Sequence, residues 1–322
     1  MKIRVRYILP ILVVIAFLSG FKSDKDFPAP INEPSAAIYL NISSSGIFDE
    51  ENKSACEEIA DNVANICNLR DSSQKKINKD YKKISLDFLN DSIISGFLKI
   101  QEVYFYYKNT DEYALIANGN FDLEKIAKKL KSEIEYNEEN KIIKITTLIN
   151  DLDKQNANYK IYLQADENKL ILCPEKTISK VAQNINASQN LLGNNFKTFE
   201  KMVQYKPAIS AEINIEKLIK EQTVNNVPKS LSATKLVRLF IAPHQNKMQF
   251  SIPDEQEREE IKKELQNQTV NINSIFENKT DYKLKEGKTS IFLESKANDE
   301  QVKSISRKTM AFILHFFVKN IP

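Results

Sequence analysis

Short runs of β-branched and aromatic residues recur from Ala36 to the C-terminus, separated by amphipathic stretches of helical period. No other feature constrains the fold as tightly. A strand and a helix each carry an apolar face, and each hides it most economically against the other. The expected strands are Ala37–Ile42, Glu102–Tyr107, Tyr113–Asn118, Lys141–Thr147, Tyr159–Gln164 and Lys169–Leu172 in the first part of the chain. Each is rich in Ile, Tyr, Phe or Val and ends in polar turn residues. The intervening helices are expected at Glu51–Cys67, Lys75–Lys99 with a break, Leu123–Ser132, Lys176–Ile185 and Asn195–Gln204. Asp122 stands where an N-cap opens the Leu123 helix, and Asp166-Glu167-Asn168 turns the hairpin formed by Tyr159–Gln164 and Lys169–Leu172.

The second part repeats this order. Ala208–Ile213 corresponds to Ala37–Ile42, and Leu236–Ala242 with Lys247–Ile252 corresponds to the strand pair between Glu102 and Asn118. Asp254 opens a charged helix, Glu255–Gln268, in the place of Leu123–Ser132. Strands Tyr282–Leu284 and Ser290–Leu293 follow, and Asp299 starts a last helix ending in Met310–Val318. The expected fold is therefore α+β, with two similar units of antiparallel or mixed sheet covered by helices. The first unit is assigned to residues 36–206 and the second to 207–322, with a seam near Lys206 and Pro207.

Ahead of these units, Lys2, Arg4 and Arg6 precede an apolar stretch from Tyr7 to Phe21. A basic start followed by a short apolar core is the layout of a secretory signal, and the stretch is shorter than the roughly 20 residues that span a bilayer. Residues 1–21 are read as signal peptide or signal anchor, and 22–35, with Pro28, Pro30 and Pro34, as a linker. Phe21 occupies the position where a lipoprotein signal needs its acylated cysteine, which disfavours a lipid anchor. The expected place is the periplasm or the outer face of the cytoplasmic membrane, with membrane contact through the N-terminal segment if it is uncleaved.

The same three basic residues account for the charge. Without them, the 46 basic residues of the chain fall level with its 43 acidic ones. A neutral body lacks the basic footprint of a nucleic-acid-binding protein. Three cysteines, Cys56, Cys67 and Cys173, allow at most one disulfide. Cys56 and Cys67 lie about 16 Å apart along one helix at 1.5 Å per residue, too far to bridge. Buried free thiols are the expected state, with a bridge from Cys173 to one of them as the alternative.

The run Tyr113-Ala114-Leu115-Ile116-Ala117-Asn118-Gly119-Asn120-Phe121-Asp122, continuing into Leu123-Glu124-Lys125-Ile126, resembles a pattern in bacterial exported proteins of uncharacterised function. There a strand ends in a Gly-x-Phe-Asp turn into a helix. Tyr162-Leu163, and later Leu170-Ile171-Leu172-Cys173-Pro174-Glu175-Lys176, extend the likeness over the middle third of the chain. These are fold-forming residues, so the resemblance implies an architecture and a compartment and no reaction.

Chemistry-bearing patterns are sparse. A Ser-His-acid set needs a histidine, and only His244 and His315 are present, one beside Pro243 in an expected turn and one inside the apolar run Phe312–Phe317. Neither zinc-ligand spacing nor an EF-hand frame occurs around Asp49-Glu50-Glu51 or Asp151-Leu152-Asp153. With 6 glycines the chain has no phosphate-cradling loop. No cofactor and no metal is expected. The most conspicuous local feature is Val103-Tyr104-Phe105-Tyr106-Tyr107, which on a strand puts Tyr104 and Tyr106 on one side and Phe105 and Tyr107 on the other. It reads either as a central strand covered by helices or as an interaction surface. Tyr104 and Tyr106, with Phe312 and Phe316 of the last helix, are the candidate surface residues. The expected function is a non-enzymatic envelope scaffold or binding module for an unknown envelope protein or ligand. Its rivals are a periplasmic carrier of an apolar ligand and an exported hydrolase using carboxylates alone.

Overall fold

The computed structural model describes residues 34–48, 52–71, 80–89, 98–109, 112–121, 134–137, 142–145, 161–165, 169–174, 177, 207–217, 232–272 and 283–318. The signal segment, most of the linker, the Leu123–Ser132 and Asn195–Gln204 helices, most of Lys176–Ile185 and the seam residue Lys206 lie outside them. The first elements are β1 (Ala36–Asn41), α1 (Ile42–Ser45), α2 (Asn52–Asp71), α3 (Tyr81–Phe88), β2 (Leu98–Asn109) and β3 (Glu112–Phe121). Next come β4 (Ile134–Asn137), β5 (Ile142–Ile145), β6 (Ile161–Ala165), β7 (Lys169–Pro174) and β8 (Ile209–Asn214). The chain continues with β9 (Leu236–Ala242), β10 (Gln245–Ser251), α4 (Glu255–Ile272), β11 (Lys283–Glu286), β12 (Ser290–Ser295) and α5 (Asp299–Val318). The class is α+β, an antiparallel sheet with several helices.

Two expectations are corrected. The helix expected over Lys75–Lys99 is α3 at Tyr81–Phe88, while Leu98 and Lys99 already belong to β2. The run Leu98, Ile100, Val103, Tyr104 and Phe105 has the β-branched and aromatic content of a pleated surface, and that preference carries the strand back to Leu98. Strand β4, Ile134-Glu135-Tyr136-Asn137, is not among the expected strands. It pairs antiparallel with β5, Ile134 opposite Ile145 and Tyr136 opposite Ile143.

The chain forms two compact units whose segments interleave. One comprises residues 1–39, 105–113 and 179–302, the other 40–104, 114–178 and 303–322. In the first, the strands run β11-β12-β10-β9-β8-β1, and Ser35 at the head of β1 donates its N–H to Tyr107 O at 2.7 Å. The β9–β10 hairpin turns on Pro243 and His244, and His244 takes φ 67°. A proline followed by a left-handed residue is the requirement of a type II turn. Met248 and Phe250 of β10 stand opposite Leu293 and Ile291 of β12, and all four pack with Ile261 and Leu265 of α4. Burying each such side chain contributes about 1.5–3 kcal/mol. Asp254 caps α4 by accepting the Glu257 N–H at 2.8 Å, as the sequence predicts.

In the second unit the strand order is β2-β3-β7-β6-β5-β4. Helix α2 buries Cys56, Ile59, Ala60, Val63 and Cys67, the i, i+3, i+4, i+7 stripe of an amphipathic helix. From Lys303 onward α5 belongs to this unit, not to the strands that precede it in the chain. Arg307 on α5 binds Glu58 of α2 at 2.7 Å and donates to Ile47 O at 3.3 Å. Residues Met310 to His315 are all buried, so α5 is covered all round there. Among the described residues no helix is long and apolar enough to cross a membrane.

Candidate functional site

Alternation along β8, β9, β10 and β12 turns one set of side chains to α4 and the other to the opposite face. That opposite face carries a continuous polar ladder. Glu212 Oε2 accepts from Arg238 Nε at 2.8 Å, Arg238 Nη1 donates to Gln249 Oε1 at 3.3 Å, and Gln249 Nε2 donates to Ser290 Oγ at 3.0 Å. The ladder follows the strand register, in which Glu212 faces Arg238 and Arg238 faces Gln249. The ion pair is largely covered, with 12% of the Arg238 and 21% of the Glu212 side chain exposed. Beside it, Glu294 receives Lys247 at 3.1 Å and Lys285 at 2.5 Å, and Lys247 Nζ lies 5.3 Å from the centre of the Phe292 ring.

On the helix side a second cluster ties α4 to β11. Arg258 donates to Glu286 at 3.4 Å and to Ile252 O at 3.0 Å, and Lys262 bridges Glu259 and Glu286. The Lys262 hydrogen bond holds the Glu286 carboxyl below its ordinary value, and Glu286 in turn raises Lys262. Burial tends to raise Glu294, but the hydrogen bonds from Lys285 and Lys247 outweigh it and the net shift is downward. A catalytic acid needs the reverse displacement.

A depressed carboxylate contributes stability that is complete above its unfolded pKa and is lost as pH falls through the folded value. The urea midpoint is therefore expected to drop on acidification below the ordinary glutamate range. Glu286→Gln should remove the Glu286 share of that drop and lower the midpoint at neutral pH. Equal acid sensitivity in the two proteins contradicts a stabilising role for the Lys262–Glu286 pair.

The sequence candidates separate. Tyr104 is half-buried, and its hydroxyl donates to Glu102 Oε2 at 3.2 Å, where Asn118 Nδ2 also donates at 3.3 Å. Tyr106 and Phe312 are buried, at 1% and 5% exposure, and present no surface; the strand and helix that carry them are covered at these positions. The Phe316 side chain lies outside the described residues. Sequence reasoning missed Glu212, Arg238, Gln249 and Ser290. The available signal was the polar residue at alternate positions of Ala211-Glu212-Ile213, Val237-Arg238-Leu239 and Met248-Gln249-Phe250.

His315 is buried, its Nδ1 against Phe312 O and its ring 4.9 Å from the Phe312 ring, a core histidine as expected. Cys56, Cys67 and Cys173 form no disulfide and are buried; burial pushes the Cys56 thiol up and the Cys173 thiol to about 12. Such thiols are poor nucleophiles at neutral pH. No protein-family model, curated protein or solved structure matches the chain.

Proposed function

We propose that this chain is an exported, extracytoplasmic binding or scaffold module assembled from two copies of one α+β unit, with no catalytic role. The observation that carries the reading is the ladder from Glu212 to Ser290. Its charges and amides are spent on one another across four strands, which stiffens that face of the sheet and leaves no nucleophile beside a base among these residues. The two displaced carboxylates hold their protons less tightly than usual, so they suit charge recognition better than proton donation. Export rests on Lys2, Arg4, Arg6 and the apolar stretch Tyr7–Phe21.

Equivalent local details in the two halves support duplication. Strand β1 ends in Asn41, whose side chain accepts the Ser44 N–H at 2.9 Å; β8 ends in Asn214, whose side chain accepts the Lys217 N–H at 3.2 Å. Both asparagines are followed by isoleucine and cap a helical turn. Six residues upstream of each, the backbone N–H of Ser35 meets Tyr107 O and that of Ala208 meets Ile241 O. The strand orders β1-β2-β3-β7-β6 and β8-β9-β10-β12-β11 then correspond step by step, with β5 and β4 as an addition to the first.

Fractionation of cells expressing the native chain, with alkaline extraction and an intact mass, tests export. The protein is expected in the envelope or periplasmic fraction, soluble with a mass beginning near Phe21 or extraction-resistant with Met1 retained. Recovery in the cytosol sinks the proposal.

A further inference from the structure

The correspondence between the halves singles out one sheet edge. In the first half, β6 pairs with β7 on one side and with β5 on the other. Its counterpart β11 pairs with β12, and among the described residues no strand lies on its other side. We infer that the outer edge of β11 is a docking site for an extended acidic segment of a partner protein, added as an antiparallel strand where β5 lies in the other half.

The ladder supplies the backbone groups. Gly287 N–H donates to Ser290 O at 2.7 Å, and alternation from that pair turns the N–H and C=O groups of Lys285 and Lys283 toward β12. The corresponding groups of Leu284 and Glu286 then point to the outer edge. The side chains supply the selectivity. Lys283 and Lys285 project on the face of the polar ladder, and the Lys285 side chain is 61% exposed. Their neighbour Glu294 already serves Lys247 and Lys285, so that face carries a local excess of positive charge. A strand laid beside β11 places alternate side chains opposite Lys283 and Lys285, and carboxylates there complete the charge balance. The residue between them falls on the side of Leu284, which packs with the apolar core, and is best apolar.

A second copy of β11 is a poor occupant. Two-fold pairing of a strand with itself sets lysine against lysine in the two registers of greatest overlap that keep the faces aligned, Lys283 with Lys285 and Lys285 with itself.

This inference rests on the binding-module reading, and its test is independent of export. A fluorescein-labelled peptide containing Glu-Val-Glu between threonines, and its Lys-Val-Lys counterpart, are titrated with the full chain by fluorescence anisotropy. The acidic peptide is expected to bind at least about tenfold more tightly than the basic one. Leu284→Pro removes an outward N–H without touching the β12 ladder, a position where an edge strand accepts proline, and should abolish binding with the far-UV circular dichroism retained. Should that variant not fold, Lys283→Glu serves instead and is expected to reverse the preference between the peptides. Failure of the acidic peptide to bind, equal binding of both peptides, or binding insensitive to the variants overturns the site.

Discussion

Tyr106→Ala is expected to destabilise the protein by about 4 kcal/mol, the loss typical of removing a fully buried aromatic side chain from a packed core. Tyr106 is among the largest fully buried side chains, and Phe105 and Tyr107 on either side of it are equally covered. Because successive residues of a strand face opposite ways, coverage of both neighbours means that β2 is packed on both faces at this point. Tyr104, two residues earlier, is half-buried and holds Glu102 through its hydroxyl, so Tyr104→Ala should cost only about 1 kcal/mol. Urea denaturation of both variants separates the roles. A near-native midpoint for Tyr106→Ala, or equal losses for the two tyrosines, refutes the assignment of Tyr106 to the core.

The second large effect belongs to the polar ladder. Arg238→Met is expected to lose about 2 kcal/mol, because the covered Glu212 carboxylate loses its ion-pair partner and Gln249 Oε1 loses a donor. Adding Glu212→Gln to the same protein should restore about 1 kcal/mol, since the penalty comes mainly from the charge left without its partner. A double-mutant cycle in urea measures this coupling. Additive losses contradict a coupled pair and reduce the ladder to a set of independent surface contacts.

The interleaving of the two units bears on both experiments. Residues 105–113 belong to one compact unit while the first part of β2 belongs to the other, and α5 from Lys303 onward belongs with α2. Arg307, whose bonds reach Glu58 and Ile47 O, spans about 250 residues of chain. Contacts of that sequence separation have no local signature, since nothing near Arg307 in the chain marks Glu58 as its partner.

Much of the fold was legible because its causes are local. Short runs rich in Ile, Tyr, Phe or Val and bounded by polar turns placed β1, β3, β7, β9 and β12 to within a few residues, and the Asp254 cap announced α4. Helix geometry kept Cys56 from bridging Cys67, the burial of the three thiols followed from cysteine's ordinary preference for the interior, and the core place of His315 followed from its apolar neighbours. The reading failed where local preference was ambiguous, at the β2 start beyond α3 and at β4, a four-residue strand flanked by Glu133, Glu138 and Glu139 that pairs with β5.

The sequence by itself determined the class of fold, the alternation of elements and the scarcity of catalytic residue types, because these depend on neighbours in the chain. Only the tertiary structure decided that Tyr106 and Phe312 are core residues, that Glu212, Arg238, Gln249 and Ser290 form one ladder, and that β11 ends the strand order among the described residues. Each of those facts depends on strand order and register, which bring together residues far apart in sequence. The pattern of a single strand defines two faces but does not say which strand lies beside it.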